Sequence, residues 1–230
     1  MNIIKLIGED KYNLEQKLTG HSNHVWNIIE LRENELISVS FDKTMKKWEI
    51  KNDNKYECTK SINFQNSESA CNIIKINENE FATSSCGDKC LKFWNSNDYL
   101  NIATINNIET ELTSGSLCKL NENILCVGGK NSKGFYIINI SNHQLTKNIL
   151  GPQIIYSIYE CYDGLFLCSI QNEKGNCAVV KYKYENNDMK KIVDREKIHE
   201  GKIYTCIELN DGIVASGAGG GDILIKLWRN

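Results

Sequence analysis

Proline is almost absent from this 230-residue chain; Pro152 is the only one. Segments with helical period are absent too, so an array of helices is excluded. No apolar run approaches the ~18 residues that span a bilayer as a helix. The amino-terminal stretch MNIIKLIGEDKYN is too short in its apolar part, and too soon acidic, for a secretory signal. Neither sign of charge dominates. The formal net charge is −2, which leaves no electrostatic footprint for nucleic acid or an acidic membrane surface. A P-loop, a dinucleotide-binding fingerprint and clustered carboxylates are all missing. These absences predict a cytoplasmic protein, with the nucleus as the alternative. They predict no enzyme activity, no cofactor, no metal, and neither a nucleic-acid nor a membrane partner.

Cysteine is plentiful, with ten residues. Cys71, Cys118, Cys161, Cys168 and Cys206 sit in apolar or alternating segments such as ACNIIKI and YTCIEL, where cysteine behaves as a small core hydrophobe. Without a secretory signal they read as reduced thiols rather than bridges. Cys86 and Cys90 are the one close pair. With three residues between them and no nearby histidine they read as a turn and a strand residue, not a zinc site. His24 and His143 have no ligand-spaced companions. The basic stretch from Lys181 to Lys202 is interleaved with five acidic residues and reads as a solvated surface.

What is present recurs. Trp48 and Trp94 are 46 residues apart, and Trp94 and Trp228 are 134 apart, close to three periods. Asp42, Asp88 and Asp222 each lie six residues before their Trp. His21 and His199 are 178 apart, close to four periods. A period of about 45 residues means one supersecondary unit stacked many times. Five Asn/Asp/Gly turn signals recur with it: LREN, INEN, LNEN, YDG and LNDG, starting at Leu31, Ile76, Leu120, Tyr162 and Leu209. Each separates two short apolar runs, as a hairpin turn does. Each is followed by a strand, a tight polar or Gly-rich turn and a second alternating strand.

This pattern resembles the WD-repeat family of β-propellers, over essentially the whole chain. The first repeat has Gly20-His21, Ser38, Asp42 and Trp48; the second has Ser84, Asp88 and Trp94 but no His; the fifth has His199, Ser216, Asp222 and Trp228. The third and fourth end FYIIN and VVKYK and lack both Trp and Asp. The resemblance implies an all-β chain, one β-propeller of about five four-stranded antiparallel blades. Its approximate repeats are 20–65, 66–110, 111–151, 152–197 and 198–230, the last joined by 11–18. It also implies that His, Ser, Asp and Trp form a structural hydrogen-bonded set within a blade. A buried indole N–H needs an acceptor, a serine hydroxyl both accepts and donates, and the histidine passes the link to the turn Asp. A Ser-His-Asp group also suggests a hydrolase, but no Gly-x-Ser-x-Gly elbow accompanies it.

Closure of the ring has two readings. KYNLEQKL, before His21, reads as the outer strand that completes the last blade, which the chain otherwise leaves unfinished. IIKLI, Ile3 to Ile7, resembles the third strand near Trp228, and this leaves one strand too many for a five-blade ring. The chain is then a piece or subunit of a larger propeller assembly.

The resemblance implies a function of recognition. Members of the family mostly act as rigid platforms, and their common docking area is the face carrying the connections into the innermost strands. The positions that tend to point there are His24, Trp26 and Phe41 in the first repeat. Register carries the Trp26 position to Cys71, Gly115, Tyr156 and Tyr204. Trp26, Tyr156 and Tyr204 adjoin if the ring closes, and exposed aromatics are typical interface anchors; packing between blades is the competing reading. The expected function is a non-catalytic scaffold or adaptor for a protein or peptide. A propeller that binds a small molecule, or an enzyme, is the reading from another class.

Overall fold

A computed structural model describes residues 1–6, 12–51, 54–64, 69–85, 87, 89–109, 115–131, 134–152, 154–196, 198–209, 212–220, 222 and 224–229. Among the described residues the elements are all strands. The first two, β1 (Asn2–Leu6) and β2 (Tyr12–Lys17), pair only with each other. Blade 1 follows as β3 (Val25–Arg32), β4 (Glu35–Ser40), β5 (Thr44–Ile50) and β6 (Tyr56–Asn63). Blade 2 is β7 (Ala70–Asn77), β8 (Glu80–Ser85), β9 (Cys90–Asn95) and β10 (Asn101–Asn106). Blade 3 is β11 (Leu117–Asn121), β12 (Ile124–Gly128), β13 (Phe135–Asn139) and β14 (Gln144–Ile149). Blade 4 is β15 (Ile154–Glu160), β16 (Phe166–Gln171), β17 (Cys177–Glu185) and β18 (Asp188–Glu196). Blade 5 has three strands, β19 (Lys202–Glu208), β20 (Ile213–Gly219) and β21 (Ile225–Arg229). Within each sheet the described strands pair as antiparallel meanders, and the molecule is a five-blade β-propeller.

The turn signals do their work by two routes. In the first, fourth and fifth repeats the hairpin turn holds a residue with left-handed backbone: Asn34 (φ 62°), Gly164 (φ 73°) and Gly212 (φ 70°). Asparagine and glycine tolerate that region at little cost. In the second and third, the Asn77 and Asn121 side chains accept from the Asn79 and Asn123 amides at 2.9 Å. These Asx turns supply the reversal without a left-handed residue.

Period-two alternation gives each blade two faces, and successive blades bury them against each other. Ile29, Leu31, Ile37, Val39 and Met45 of blade 1 pack on Phe81 and Trp94 of blade 2. Ala82, Leu91 and Phe93 of blade 2 then meet Leu125, Val127 and Ile138 of blade 3. Phe135 and Ile137 of blade 3 meet Phe166, Ile170 and Tyr182 of blade 4. Leu167 and Val179 of blade 4 meet Cys206, Val214 and Trp228 of blade 5. First strands contact first strands along the series β3, β7, β11, β15, β19, so they form the inner wall.

The expectation that the amino-terminal strand completes the last blade is corrected. β2 pairs with β1, and among the described residues β21 pairs with β20 alone. β1 carries a third-strand pattern and is joined to β2 by a short connection. That local hairpin costs far less loop entropy than pairing across the whole chain. Gln16 then clamps the pair onto blade 1, donating to the Tyr56 carbonyl at 2.6 Å and accepting from its amide at 2.8 Å. β1 and β2 thus form half a blade beside blade 1, and no buried cluster joins blade 5 to blade 1 among the described residues.

Candidate functional site

The residues that most resemble a catalytic set are internal struts. Trp48 Nε1 donates to Ser38 Oγ at 2.8 Å, and His21 Nε2 lies 2.7 Å from the same hydroxyl. His21 Nδ1 lies 2.7 Å from Asp42 Oδ2. One order of protons satisfies every atom: Ser38 accepts from Trp48 and donates to a neutral His21, whose Nδ1–H donates to Asp42. Burial favours the neutral ring by lowering the His21 pKa, against the Asp42 carboxylate, which raises it. Burial pushes Asp42 up. Hydrogen bonds from Thr44, His21 and the Ser22 amide outweigh that and hold it at about 2. The carboxylate thereby pins the turn between β4 and β5, with Thr44 Oγ1 at 2.6 Å.

Blade 5 repeats the set. His199 lies 2.9 Å from Ser216 Oγ and 3.0 Å from Asp222 Oδ2, and Trp228 donates to Ser216 at 3.3 Å. Trp48 and Trp94 are buried, whereas Trp228 is only partly covered.

Blade 2 departs from the expectation. The Trp94 indole donates to Thr83 Oγ1 at 2.9 Å, not to Ser84. Ser84 is buried and its hydroxyl has no hydrogen-bond partner. The cause is hairpin length. Ser38 faces Lys46, Thr83 faces Lys92 and Ser216 faces Lys226, so the connection between second and third strands lengthens by one residue each time. Counting back a constant distance from Trp therefore lands one residue late in the second repeat, on the opposite sheet face. Asp88 lies outside the described residues.

The register positions chosen for the binding face share a local feature. Pairing between first and second strands skips Trp26, Cys71, Tyr156 and Tyr204, so each is the extra residue of a β-bulge. A bulge re-aims its side chain out of the regular alternation. At the third-repeat position a Cβ on Gly115 would stand 2.7 Å from Ser157 Cβ, so no side chain fits. Tyr204 is 46% exposed and Phe41 42% exposed, His24 is exposed, and Trp26 is partly buried with its Nε1 lacking a partner. Tyr156 is only 1% exposed. It does not present its ring, a correction to its expected role. It packs edge-on against Tyr204 with centroids 5.7 Å apart, and its hydroxyl reaches Gln171.

The expected single patch divides in two. His24 and Trp26 lie 6.4 Å apart, and the Phe41 amide donates to the His24 carbonyl at 2.8 Å. Tyr156 and Tyr204 form the other group. Among the described residues no ring contact joins the groups, because blades 1 and 5 are not packed together.

Other polar clusters are accounted for within the fold. Cys161, Asp163 and Glu208 converge closely enough to hold a cation, but the Lys181 ammonium is there, 2.8 Å from Asp163 and 3.5 Å from Glu208. It ties blade 4 to blade 5. Lys47, bonded to Glu35 at 3.3 Å, holds the same place in blade 1. The nine described cysteines are unbridged. Burial pushes the Cys118, Cys161 and Cys206 thiols up to about 12, which leaves them unreactive. A hollow of about 520 Å³ beside blade 4 is lined by Pro152, Asn172, Lys174, Tyr182, Lys191 and Asp194, without a set of converging titratable groups of one sign.

No family model matches the chain, and no curated protein matches it significantly. Solved structures do. A chain in a crystal structure of the Mitotic Checkpoint Complex superposes with a TM-score of 0.74 at 15% identity, covering 95% of this chain and 65% of that one. The WD40 β-propeller domain of Doa1 gives 0.70 at 19% identity, covering 94% of this chain and 67% of that one. The chain thus spans about two thirds of the length of each. Likeness at this identity is likeness of fold, and the fold of this chain is that of the WD-repeat β-propellers.

Proposed function

We propose that the protein is a non-catalytic interaction scaffold that presents a rigid propeller face to a partner protein or peptide. The observation that carries this reading is the repeated bulge at the start of the inner strands, which aims Trp26 and Tyr204 away from the regular sheet faces, with His24 beside Trp26 and Phe41 bonded through its amide to His24. Aromatic side chains bury much area and lose little rotamer freedom, so they anchor protein interfaces. The near-neutral charge favours a protein partner over nucleic acid or an anionic membrane. The Ser-His-Asp sets serve blade structure, so the reading assigns them no chemistry. One of the similar structures is described as a complex, which fits the same reading. The cytoplasm is the proposed location, where buried thiols stay reduced.

The test is affinity purification of the full chain from cells, wild type against Tyr204→Ala and Phe41→Ala. Each change is expected to cost ~2 kcal/mol or more in partner affinity while the melting temperature stays within a degree or two. Retention of every partner by both variants would place recognition elsewhere. Tyr156→Ala, in contrast, is expected to lower the melting temperature, because that ring is core.

A further inference from the structure

Blade 4 lacks the hydrogen-bonded set that braces blades 1 and 5, and the hollow of about 520 Å³ lies where that set would be. Register places Tyr182 opposite Phe166, as Trp48 lies opposite Leu36 and Trp94 opposite Phe81, so Tyr182 holds the Trp place. Cys168 holds the Ser place, opposite Ile158 as Ser38 is opposite Ile28 and Ser216 opposite Cys206. Asn172 holds its turn in the manner of Asp42. Its Oδ1 accepts from the Lys174 amide at 3.0 Å, as Asp42 Oδ1 accepts from the Thr44 amide at 3.0 Å. The His place falls to Gly151. It stands five residues before the bulge residue Tyr156, as His21 and His199 stand five before Trp26 and Tyr204. Gly151, Asn172 and Tyr182 all line the hollow, together with the buried Ile170 and Ala178.

Earlier seams are plugged by the link that follows an outer strand. Phe64 packs between blades 1 and 2 and Ile108 between blades 2 and 3, both buried. The link into blade 4 brings Gly151 and Pro152 instead, and Leu150 ahead of them is 78% exposed. The hollow also holds an unmet polar group. Tyr182 is only 6% exposed, yet its hydroxyl has no hydrogen-bond partner among the described residues. The other buried tyrosines each have one: Tyr99 on Glu35, Tyr136 on the Glu109 amide and Tyr156 on Gln171. A buried phenol normally finds a partner. The Tyr182 ring is braced edge-on by Phe135, with centroids 5.0 Å apart, and burial keeps its proton on by raising its pKa.

We propose that this hollow receives a histidine side chain of a partner polypeptide, which supplies from outside the ring that blade 4 lacks. One ring nitrogen accepts from the Tyr182 hydroxyl. The other donates to the side-chain carbonyl of Asn176, which also lines the hollow and has no side-chain partner among the described residues. A neutral imidazole carries one donor and one acceptor, as these two groups require. The rim charges offset, Glu173 and Asp194 against Lys174 and Lys191, which disfavours a phosphate or carboxylate. A polypeptide suits the site better than a free heterocycle. The hollow exceeds one imidazole, and beside it Leu150 and Ile192, 78% and 50% exposed, offer apolar contact to flanking residues. The proposal rests on the reading of the protein as an interaction scaffold, but on none of the channel-mouth residues.

The test follows the Ala178 and Ile170 methyl signals of the whole protein by NMR as N-acetylhistidine methylamide is added. Saturable shifts at these two methyls are expected, and the phenylalanine analogue should give none. Tyr182→Phe removes only the unpaired hydroxyl. Its melting temperature should match the wild type while the histidine probe binds ~3–10-fold more weakly. Gly151→His should fill the place from within the chain and abolish binding. A capped Leu-His-Leu tripeptide should bind tighter than the single residue, and Leu150→Ser should remove that gain. Phe41→Ala and Tyr204→Ala should change none of these results, so failure here and failure of the channel-mouth reading are told apart. No shift at the highest soluble probe concentration overturns the proposal, as do shifts elsewhere, an equal response to the phenylalanine analogue, or indifference to Tyr182→Phe. A tripeptide that binds no tighter than the single residue overturns it in favour of a free small molecule.

Discussion

At the scale of single residues, polar satisfaction decides which side chains matter. Thr83 and Ser84 are neighbours, both buried, and they have opposite accounts. Thr83 accepts the Trp94 indole proton, whereas the Ser84 hydroxyl bonds nothing. Thr83→Val preserves shape but orphans a buried N–H, at a cost of ~1–3 kcal/mol. Ser84→Ala removes a buried unpaired group and should be neutral or stabilising by up to ~1 kcal/mol. Urea unfolding of the two variants reads the difference directly, and a larger loss for Ser84→Ala would reverse the assignment. The Asp42 carboxyl supplies a second test. Its pKa falls from 3.8 to about 2 on folding, so its stabilisation is fully present above pH 4 and is lost as the pH falls toward 2. The shift corresponds to ~2 kcal/mol. The lowered His21 pKa acts in the same sense, its contribution being full above 6.5 and lost below the folded value. Asp42→Asn should therefore be less stable than wild type by ~2 kcal/mol at neutral pH, with the gap closing by pH 2. Parallel stability profiles across that range would deny the carboxylate its role.

At the scale of elements, the sequence made the strands legible and left their partners open. The turn signals at Leu31, Ile76, Leu120, Tyr162 and Leu209 each precede a real hairpin, because Asn, Asp and Gly carry the reversal locally. The fate of β2 was not legible. Its side chains suit the outer place in any blade, and the choice between β1 and β21 rests on loop closure and on the Gln16 clamp rather than on pattern. Ser84 was misplaced because a hairpin one residue longer shifts register without altering composition. Repeat spacing locates the aromatic positions but carries no signal of their exposure. Tyr156 and Tyr204 hold equivalent bulges, yet one is core and the other surface, because Tyr204 lies over the first and has no following blade on its far side.

At the scale of the whole molecule, the four buried clusters run in series, each joining one blade to the next. Stability in such an array is close to a sum of blade terms and nearest-neighbour interfaces. The middle blades have two interfaces and four strands. Blade 5 has one interface and three strands, and its far face leaves Ile207, Ile225 and Leu227 exposed. Blade 1 keeps partial cover, since Gln16 of the half-blade bonds to Tyr56 and the backbone at Gly20 lies against Trp48, although Ile28 is exposed. The array should therefore open from its blade 5 end, in a sub-global step below the free energy of complete unfolding. Native-state hydrogen exchange tests this on equivalent second strands, where β20 amides should exchange through a smaller opening free energy than those of β12 or β16. Low denaturant should merge β19 and β21 with β20 into one cooperative unit while blades 2 to 4 stay closed. Equal protection in β20 and β12 would mean that the lone interface with blade 4, reinforced by Lys181 and Glu208, holds blade 5 as firmly as two interfaces hold the others.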